Sequence, residues 1–206
     1  MLWKPIGDVI CWQECINAEV RADLARTLPY HHVTFNDDDF GPGMNSISYR
    51  PDLFRLVAFD SEKASEARAG VSPARFVCWV ILEHIATGVR FAVVNVHFIS
   101  GAFRIPPPLN VVWRLAQWFN NRRVLRRVVG DLRARGLPVL VGGDPNRKRW
   151  DILGAGLVEP RYTDAGPTVD RIAVSADVTV ESARLGPKNG SDHFAVIARL
   201  HLPEEN

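Results

Sequence analysis

Apolar positions along this chain follow two periods, and the switches between them divide it into elements. Asp8 to Glu14 (DVICWQE) reads as a short buried strand ending on polar residues. Residues 17–27 then predict a helix, with Val20, Leu24 and Leu28 at helical spacing and Asn17 placed to cap its first turn. Asp, Gly and Pro content makes 36–43 a loop, and its acidic run Asp37-Asp38-Asp39 reads as a solvated turn. Strands rich in β-branched and aromatic residues follow at 44–50, 53–59, 76–84 and 90–98, with a polar connector over 60–74. The longest helical pattern covers 109–135, and Val112, Leu115, Phe119, Leu125, Val128 and Leu132 mark its buried stripe. Beyond it come a strand at 138–142, a short helix or turn from about 147, and strands near 169–174, 177–185 and 193–201. Many strands with two helices predict two packed sheets flanked by helices, not an alternating βαβ fold.

Composition narrows the class without naming an activity. A chain of 206 residues defaults to one domain, 1–206, and is long enough to bury a substantial core. Hydrophobic content of 47% and charged content of 23% are those of an ordinary soluble globule. No apolar run approaches membrane-spanning length, and Met1-Leu2-Trp3-Lys4-Pro5 lacks the pattern of a signal peptide. The net charge of +2 imposes no global field, so any affinity for polyanions must come from local clusters. Cys11, Cys15 and Cys78 cannot close as a set of disulfides, and no histidine cluster completes a zinc site with them. Reduced thiols and a cytoplasmic setting are the expectation.

The residues that bear chemistry collect at strand ends. In Phe91-Ala92-Val93-Val94-Asn95-Val96-His97 alternate side chains share a face, so Phe91, Val93, Asn95 and His97 form a line that turns polar at its end. Leu140 to Asn146 (LVGGDPN) runs from a buried strand into two glycines, which permit close backbone approach, and then presents Asp144 and Asn146. Pro145 biases Asp144 toward an extended backbone and fixes its own φ, so the carboxylate and the amide project from one face. Val169-Asp170-Arg171-Ile172 sets an acid inside an apolar strand, where it needs a partner such as an imidazole. Ser191-Asp192-His193 opens the last strand with an acid and an imidazole side by side, and Glu14 ends the first strand after Gln13. Each of these, taken singly, reads equally well as a turn or a polar strand terminus.

Taken in order, Gln13-Glu14, Asn95-x-His97, Gly143-Asp144-x-Asn146, Val169-Asp170-Arg171-Ile172 and Ser191-Asp192-His193 resemble the endonuclease/exonuclease/phosphatase superfamily over about residues 8–202. The resemblance implies a four-layer α/β sandwich around two mixed sheets, and hydrolysis of phosphate esters assisted by Mg²⁺, with Mn²⁺ as a possible substitute. It implies Glu14 as the main metal ligand with Asp192 close by. It gives Asp144 the orientation or deprotonation of the attacking water, Asn146 the phosphate or nucleophile, and His97 and His193 the phosphoryl oxygens. Asp170 would orient His193. Physically, several carboxylates in one pocket repel, and a hard divalent cation offsets them while leaving room for a phosphate oxygen. The family pattern opens with an Asn-bearing strand and a helix, yet Met1 lies only thirteen residues before Glu14. The expectation is therefore a chain without that strand and helix, whose metal site leans more heavily on Asp192. Pro145 also stands where the family usually carries an aromatic or similar residue.

Substrate class rests on the cations. Arg122, Arg123, Arg126, Arg127, Arg133 and Arg135 load the long helix and read as a solvated face, since like charges four apart lend it no stability. Arg147-Lys148-Arg149-Trp150 directly follows the Asp144 loop, where cations and an aromatic ring could grip a nucleic-acid backbone and stack a base. Asn95 joins them as a substrate-side residue, and Arg104 with Pro106-Pro107-Pro108 supplies a second wall. These features predict a Mg²⁺-dependent phosphodiesterase acting on nucleic acid, with DNA as the favoured partner. The alternatives are a hydrolase of phosphomonoesters or phospholipid and inositol headgroups, and a degenerate non-catalytic binding module.

Overall fold

Six strands carry most of the site: β4 (Phe54–Ser65), β5 (Arg75–His84), β6 (Arg90–His97), β7 (Val139–Asp144), β8 (Leu157–Val158) and β9 (Arg171–Ser175). They lie in the order β4-β5-β6-β7-β9-β8, with β6 and β7 parallel and every other pair antiparallel. This is a computed structural model that describes residues 6–36, 38–147, 156–164, 169–188 and 190–203. A second layer holds β1 (Val9–Cys11), β2 (His31–Val33) and β3 (Ile47–Tyr49) in the order β1-β3-β2, together with the hairpin of β10 (Thr179–Leu185) and β11 (Val196–His201). Helix α2 (Val111–Ala134) covers one face of the large sheet, and α1 (Ala18–Thr27) packs through Leu24 against Cys15, Trp12 and Tyr30. Packed sheets with two helices form the α/β sandwich that was expected.

Strand period decides which face each residue serves. Ala92, Val94 and Val96 of β6 and Val139 and Val141 of β7 point to α2, where they meet Trp118, Val124, Leu125 and Leu132. Each such fully buried large side chain stabilises the fold by about 1.5–3 kcal/mol. Phe91 and Val93 point the other way, against Val33, Ile47 and Tyr49 of the second layer. The shared face of Phe91, Val93, Asn95 and His97 is thus the face between the sheets. Asn17 caps α1 as expected, its side chain accepting from the Val20 amide at 2.9 Å.

Three expectations need correction. Val112 and Phe119 of α2 are 78% and 50% exposed, and the buried stripe runs instead through Trp118, Asn121, Val124, Leu125, Val128, Val129 and Leu132. Apolar residues occupy more than one face of this helix, and the buried stripe includes a polar residue. Asn121 earns its place there by accepting a hydrogen bond from the Ile99 amide at 3.1 Å. The polar connector over 60–74 is strand as far as Ser65, because an edge strand solvated along one side has a polar sequence. The loop before β3 closes with a buried 3₁₀ turn, Pro42–Asn45, so that strand begins at Ile47. Within the acidic run, Asp38 accepts from Asn36 Nδ2 at 2.9 Å, while Asp37 lies outside the described residues. The helix or turn expected from about 147 is described only as far as Arg147.

Several helix arginines are spent on structure: Arg127 pairs with Glu62, Arg133 meets Asp177 at 2.6 Å, and Arg135 lies over the Trp79 ring. All three thiols are unpaired, and burial pushes Cys11 up to about 12 and Cys15 up to about 11, which leaves both poor nucleophiles. Among the described residues no helix is long and apolar enough to cross a membrane.

One groove runs between the layers. Consecutive residues of both β1 and β11 line it, from Val9 to Cys11 and from Val196 to Leu200. A strand lining a cavity with its face contributes alternate residues, so β1 and β11 each present an edge here. The floor is the apolar face of the large sheet, with Phe91, Val93, Leu140 and Ile172.

Candidate active site

Glu14, His97, Asp144, Asp170, Asp192 and His193 all line this groove. Strand register brings them there. The parallel pairing of β6 and β7 sets His97 opposite Asp144, and the antiparallel pairing of β7 and β9 sets Gly143 opposite Arg171, with Asp170 next along the chain. The hairpin then delivers His193 from the other layer, its Nδ1 2.9 Å from Asp170 Oδ2.

Two glycines make this convergence possible. A Cβ on Gly142 would meet Cys11 Sγ at 3.1 Å, so its absence lets β1 settle against β7 and carry Glu14 to the site. Gly143 adopts a φ of +140°, and a Cβ there would stand 2.0 Å from the Val96 carbonyl oxygen. Glu14 and Asn146 also lie in the left-handed region, with φ of 63° and 53°. Such conformations cost of order 1 kcal/mol or more for a residue with a side chain, and they concentrate at functional sites.

His97 is 5% exposed and lies between a cation and an anion. Arg75 Nη1 stands 3.0 Å from its Nδ1, so that nitrogen accepts and the ring proton sits on Nε2, 3.8 Å from Asp144 Oδ2. Burial, then the charges of Arg75 and His193, hold the imidazole well below its ordinary pKa, and it is neutral. Asp144, 4% exposed, accepts from the Asn146 amide at 2.6 Å, and burial pushes it up to about 6 with Asp170 adding to the rise. Asp170 is likewise raised by burial. His193 differs: partial burial pulls its imidazole down, and the carboxylates of Asp170, Asp144 and Asp192 more than reverse this, leaving it above its ordinary value. Replacing Asp170 with Asn should therefore lower the His193 pKa. An NMR titration of the ring in metal-free protein reads this directly, and an unmoved titration would show that Asp170 does not set it.

The Asp144 loop is pinned from below. Trp118 Nε1 donates to the Pro145 carbonyl at 2.7 Å, and Asn146 Nδ2 donates to the Phe98 carbonyl at 2.9 Å. Arg147 stacks over Phe103 and Trp118, its guanidinium carbon 4.3 and 5.2 Å from the ring centroids. Lys148, Arg149 and Trp150 lie outside the described residues. Asn95 is fully buried: its amide donates to the Trp12 and Ser46 carbonyls and accepts from Gln13 Nε2 at 2.7 Å. It braces the turn that carries Glu14 and does not face the groove's open side.

Sequence reasoning missed Arg75. It opens β5, is 8% exposed, and feels the charges of Glu14 and Asp144. Its buried Nε hydrogen has no acceptor among the described residues. A buried guanidinium donor left unmatched is costly unless a ligand oxygen completes it. The only sequence signal was a lone cation at the head of an apolar strand.

Ligand atoms of Asp144, Asp170 and His193 lie within 4.8 Å of one another. Glu14 is exposed and Asp192 has 94% of its side chain exposed, so these two sit at the mouth and outside that trio. A hard divalent cation fits the donor set: Asp144 and Asp170 are both raised by burial in each other's neighbourhood, and a cation would relieve that cost.

A sequence model described as "Endonuclease/Exonuclease/phosphatase family" matches residues 3–193. No curated protein matches the chain. Among solved structures it is similar to a mannosyl-6-phosphatase of Bacteroides thetaiotaomicron, at a TM-score of 0.71 and 20% identity over 95% of this chain and 85% of that one. It is similar to D. rerio TDP2 complexed with a single-strand DNA product, at 0.65 and 17% over 94% and 86%. The human Nocturnin catalytic domain with bound sulfate gives 0.64 and 19% over 94% and 80%.

Proposed function

This chain belongs to the endonuclease/exonuclease/phosphatase family, and from that premise we propose that it is a Mg²⁺-dependent phosphodiesterase that hydrolyses DNA. It is a hydrolase of phosphate esters by family, so metal identity and substrate are the proposal. The observation that carries it is the meeting of Asp144, neutral His97 and the Asp170–His193 pair in one groove, with the buried Arg75 behind His97.

The residues divide the work by charge. Asp144, ionised above a pKa near 6, accepts the proton of the attacking water, a value suited to a general base at neutral pH. Asn146, fixed by its bond to Phe98, orients that water. His97 Nε2 donates to a phosphoryl oxygen as negative charge builds on it, and Arg75, at 3.0 Å from Nδ1, holds the ring in the tautomer that can do so. His193, its Nδ1 held by Asp170, turns Nε2 toward the phosphate and stabilises the same charge. A divalent cation would be held by Glu14 and Asp192 at the mouth, beside the cluster of Asp144, Asp170 and His193. When bound it supplies Lewis-acid polarisation of the phosphate and neutralises the carboxylates. Arg147, with Lys148, Arg149 and Trp150 following in sequence, grips the strand beyond the scissile phosphate.

Supercoiled plasmid incubated with the protein and Mg²⁺ should be nicked or degraded, and EDTA should abolish this. Protein inert toward DNA and RNA with either Mg²⁺ or Mn²⁺ would sink the proposal. A second reading keeps the site and makes the substrate a phosphomonoester. The likeness to a mannosyl-6-phosphatase favours it, and phosphate release from a panel of sugar phosphates separates the two.

A further inference from the structure

Helix α2 carries two apolar lines, and the fold buries one of them. Trp118, Val124, Leu125, Val128 and Leu132 close onto the large sheet. On the opposite side Val112, Ala116 and Phe119 are exposed, at steps of four and three that keep them on one face. Leu109, fully exposed in the turn that leads into the helix, extends this line at its start. Arg123 and Arg126 continue the same spacing, so the line is apolar over its first half and cationic over its second. From Val112 to Arg126 it covers about 21 Å at the ordinary helical rise.

The helix does not cancel its own cations. Asp131 is the only acid of α2, and it lies beyond this line. Among the described residues Arg123 gives its guanidinium to the neutral Asn120 side chain alone, through bonds of 3.2 and 2.7 Å. Arg127 and Arg133 differ, being paired with Glu62 and Asp177. Charge and its order along the axis choose among the surfaces that could cover such a line. A lipid surface suits a helix whose cations flank the whole apolar stripe, and here they stand at one end of it. A second copy laid parallel would set arginine on arginine. Laid antiparallel, it would set Arg123 and Arg126 against the N-terminal end of α2, which is itself positive. A helix with an apolar line and a run of acids matches both halves. Its acids are most favourable near its own N-terminus, so it runs antiparallel to α2.

We propose that the outward face of α2 is a docking site for an amphipathic helix of another protein, acidic in its N-terminal half and apolar in its C-terminal half. The inference goes beyond the hydrolytic reading and does not depend on it. Leu109, Val112 and Phe119 anchor the apolar half, where burial of large side chains supplies the affinity. Arg123 meets the acids and sets direction and register.

A synthetic helical peptide of about twenty residues tests it, with glutamates along one face of its first half and leucines along the same face of its second. Matched peptides carry glutamine or lysine in place of glutamate. Fluorescence anisotropy against the protein should show the glutamate peptide binding about tenfold or more tightly than the glutamine one. Val112→Ser combined with Phe119→Ser should weaken that binding about tenfold or more, and Arg123→Glu should shift the preference to the lysine peptide. All three positions are exposed, and circular dichroism confirms that the variants fold. Absence of saturable binding, equal binding of the glutamate and glutamine peptides, or binding indifferent to the variants overturns the site. Sedimentation velocity of the protein alone, and flotation with vesicles of phosphatidylcholine and phosphatidylglycerol, read the other occupants. Self-association or vesicle binding that Phe119→Ser abolishes overturns the proposal in favour of a second copy or a lipid surface.

Discussion

Asp144→Asn should produce a protein slower by about 10³-fold, as expected for loss of a general base, and yet more stable than its parent at pH 7 without divalent cations. The gain follows from the raised pKa of the carboxyl. An ordinary Asp titrates near 3.8 and Asp144 near 6, so the unfolded chain ionises this group before the folded one does. Its contribution is fully present below about pH 3.8 and is lost as pH rises through about 6. Two pKa units correspond to about 3 kcal/mol as an upper figure, which the parent forgoes at pH 7 and the Asn variant does not. The amide retains an oxygen to accept from the Asn146 backbone, so the loop keeps its shape. His97 runs the other way: held neutral, it opposes folding as pH falls below its ordinary value, but it does so in both proteins and cancels in the difference. Urea midpoints of the two proteins at pH 4 and pH 7 check the argument. A variant no more stable than the parent at pH 7 would mean that Asp144 bears no such burden.

The second large effect is structural. Gly143→Ala should destabilise the fold by about 4 kcal/mol or more, among the largest losses a single substitution causes. The new methyl would overlap the Val96 carbonyl oxygen, which is backbone and is fixed by the β6–β7 pairing, at a φ that side chains avoid. Gly142→Ala is the instructive contrast. Its methyl would press on the Cys11 side chain at 3.1 and 3.4 Å, a neighbour able to give, so a loss of about 1–3 kcal/mol is expected. Urea unfolding of both variants ranks them, and equal losses would contradict the distinction between backbone and side-chain obstruction.

These effects show which parts of the site sequence could reveal. His97, Asp144, Asp170 and His193 were legible because each ends or opens an apolar strand, and period two tells which face it takes. Their meeting was legible only through resemblance, since no local pattern says that β11 comes to lie beside β9. Arg75 stayed hidden because its partners, His97, Glu14 and Asp144, are distant in sequence. Asn95 was misjudged for the same reason: its role depends on Trp12, Gln13 and Ser46, which only the packing of the two layers brings near. On α2, hydrophobicity alone favoured Phe119 over Asn121, and the Ile99 amide reversed that order.

The strand edges that flank the groove have a consequence for time as well as shape. His193 lies in the loop that joins the two strands of a hairpin, tied elsewhere by bonds such as those from the Thr163 amide to Ala183 and from the Leu185 amide to Asp164. Asp170 belongs to the six-stranded sheet. Isolated hairpins are marginal, and regions of low local stability open without the rest of the molecule unfolding. The Asp170–His193 bond is thus a latch between the hairpin and the six-stranded sheet, and under the mechanism we propose only molecules with that latch shut are fit for catalysis.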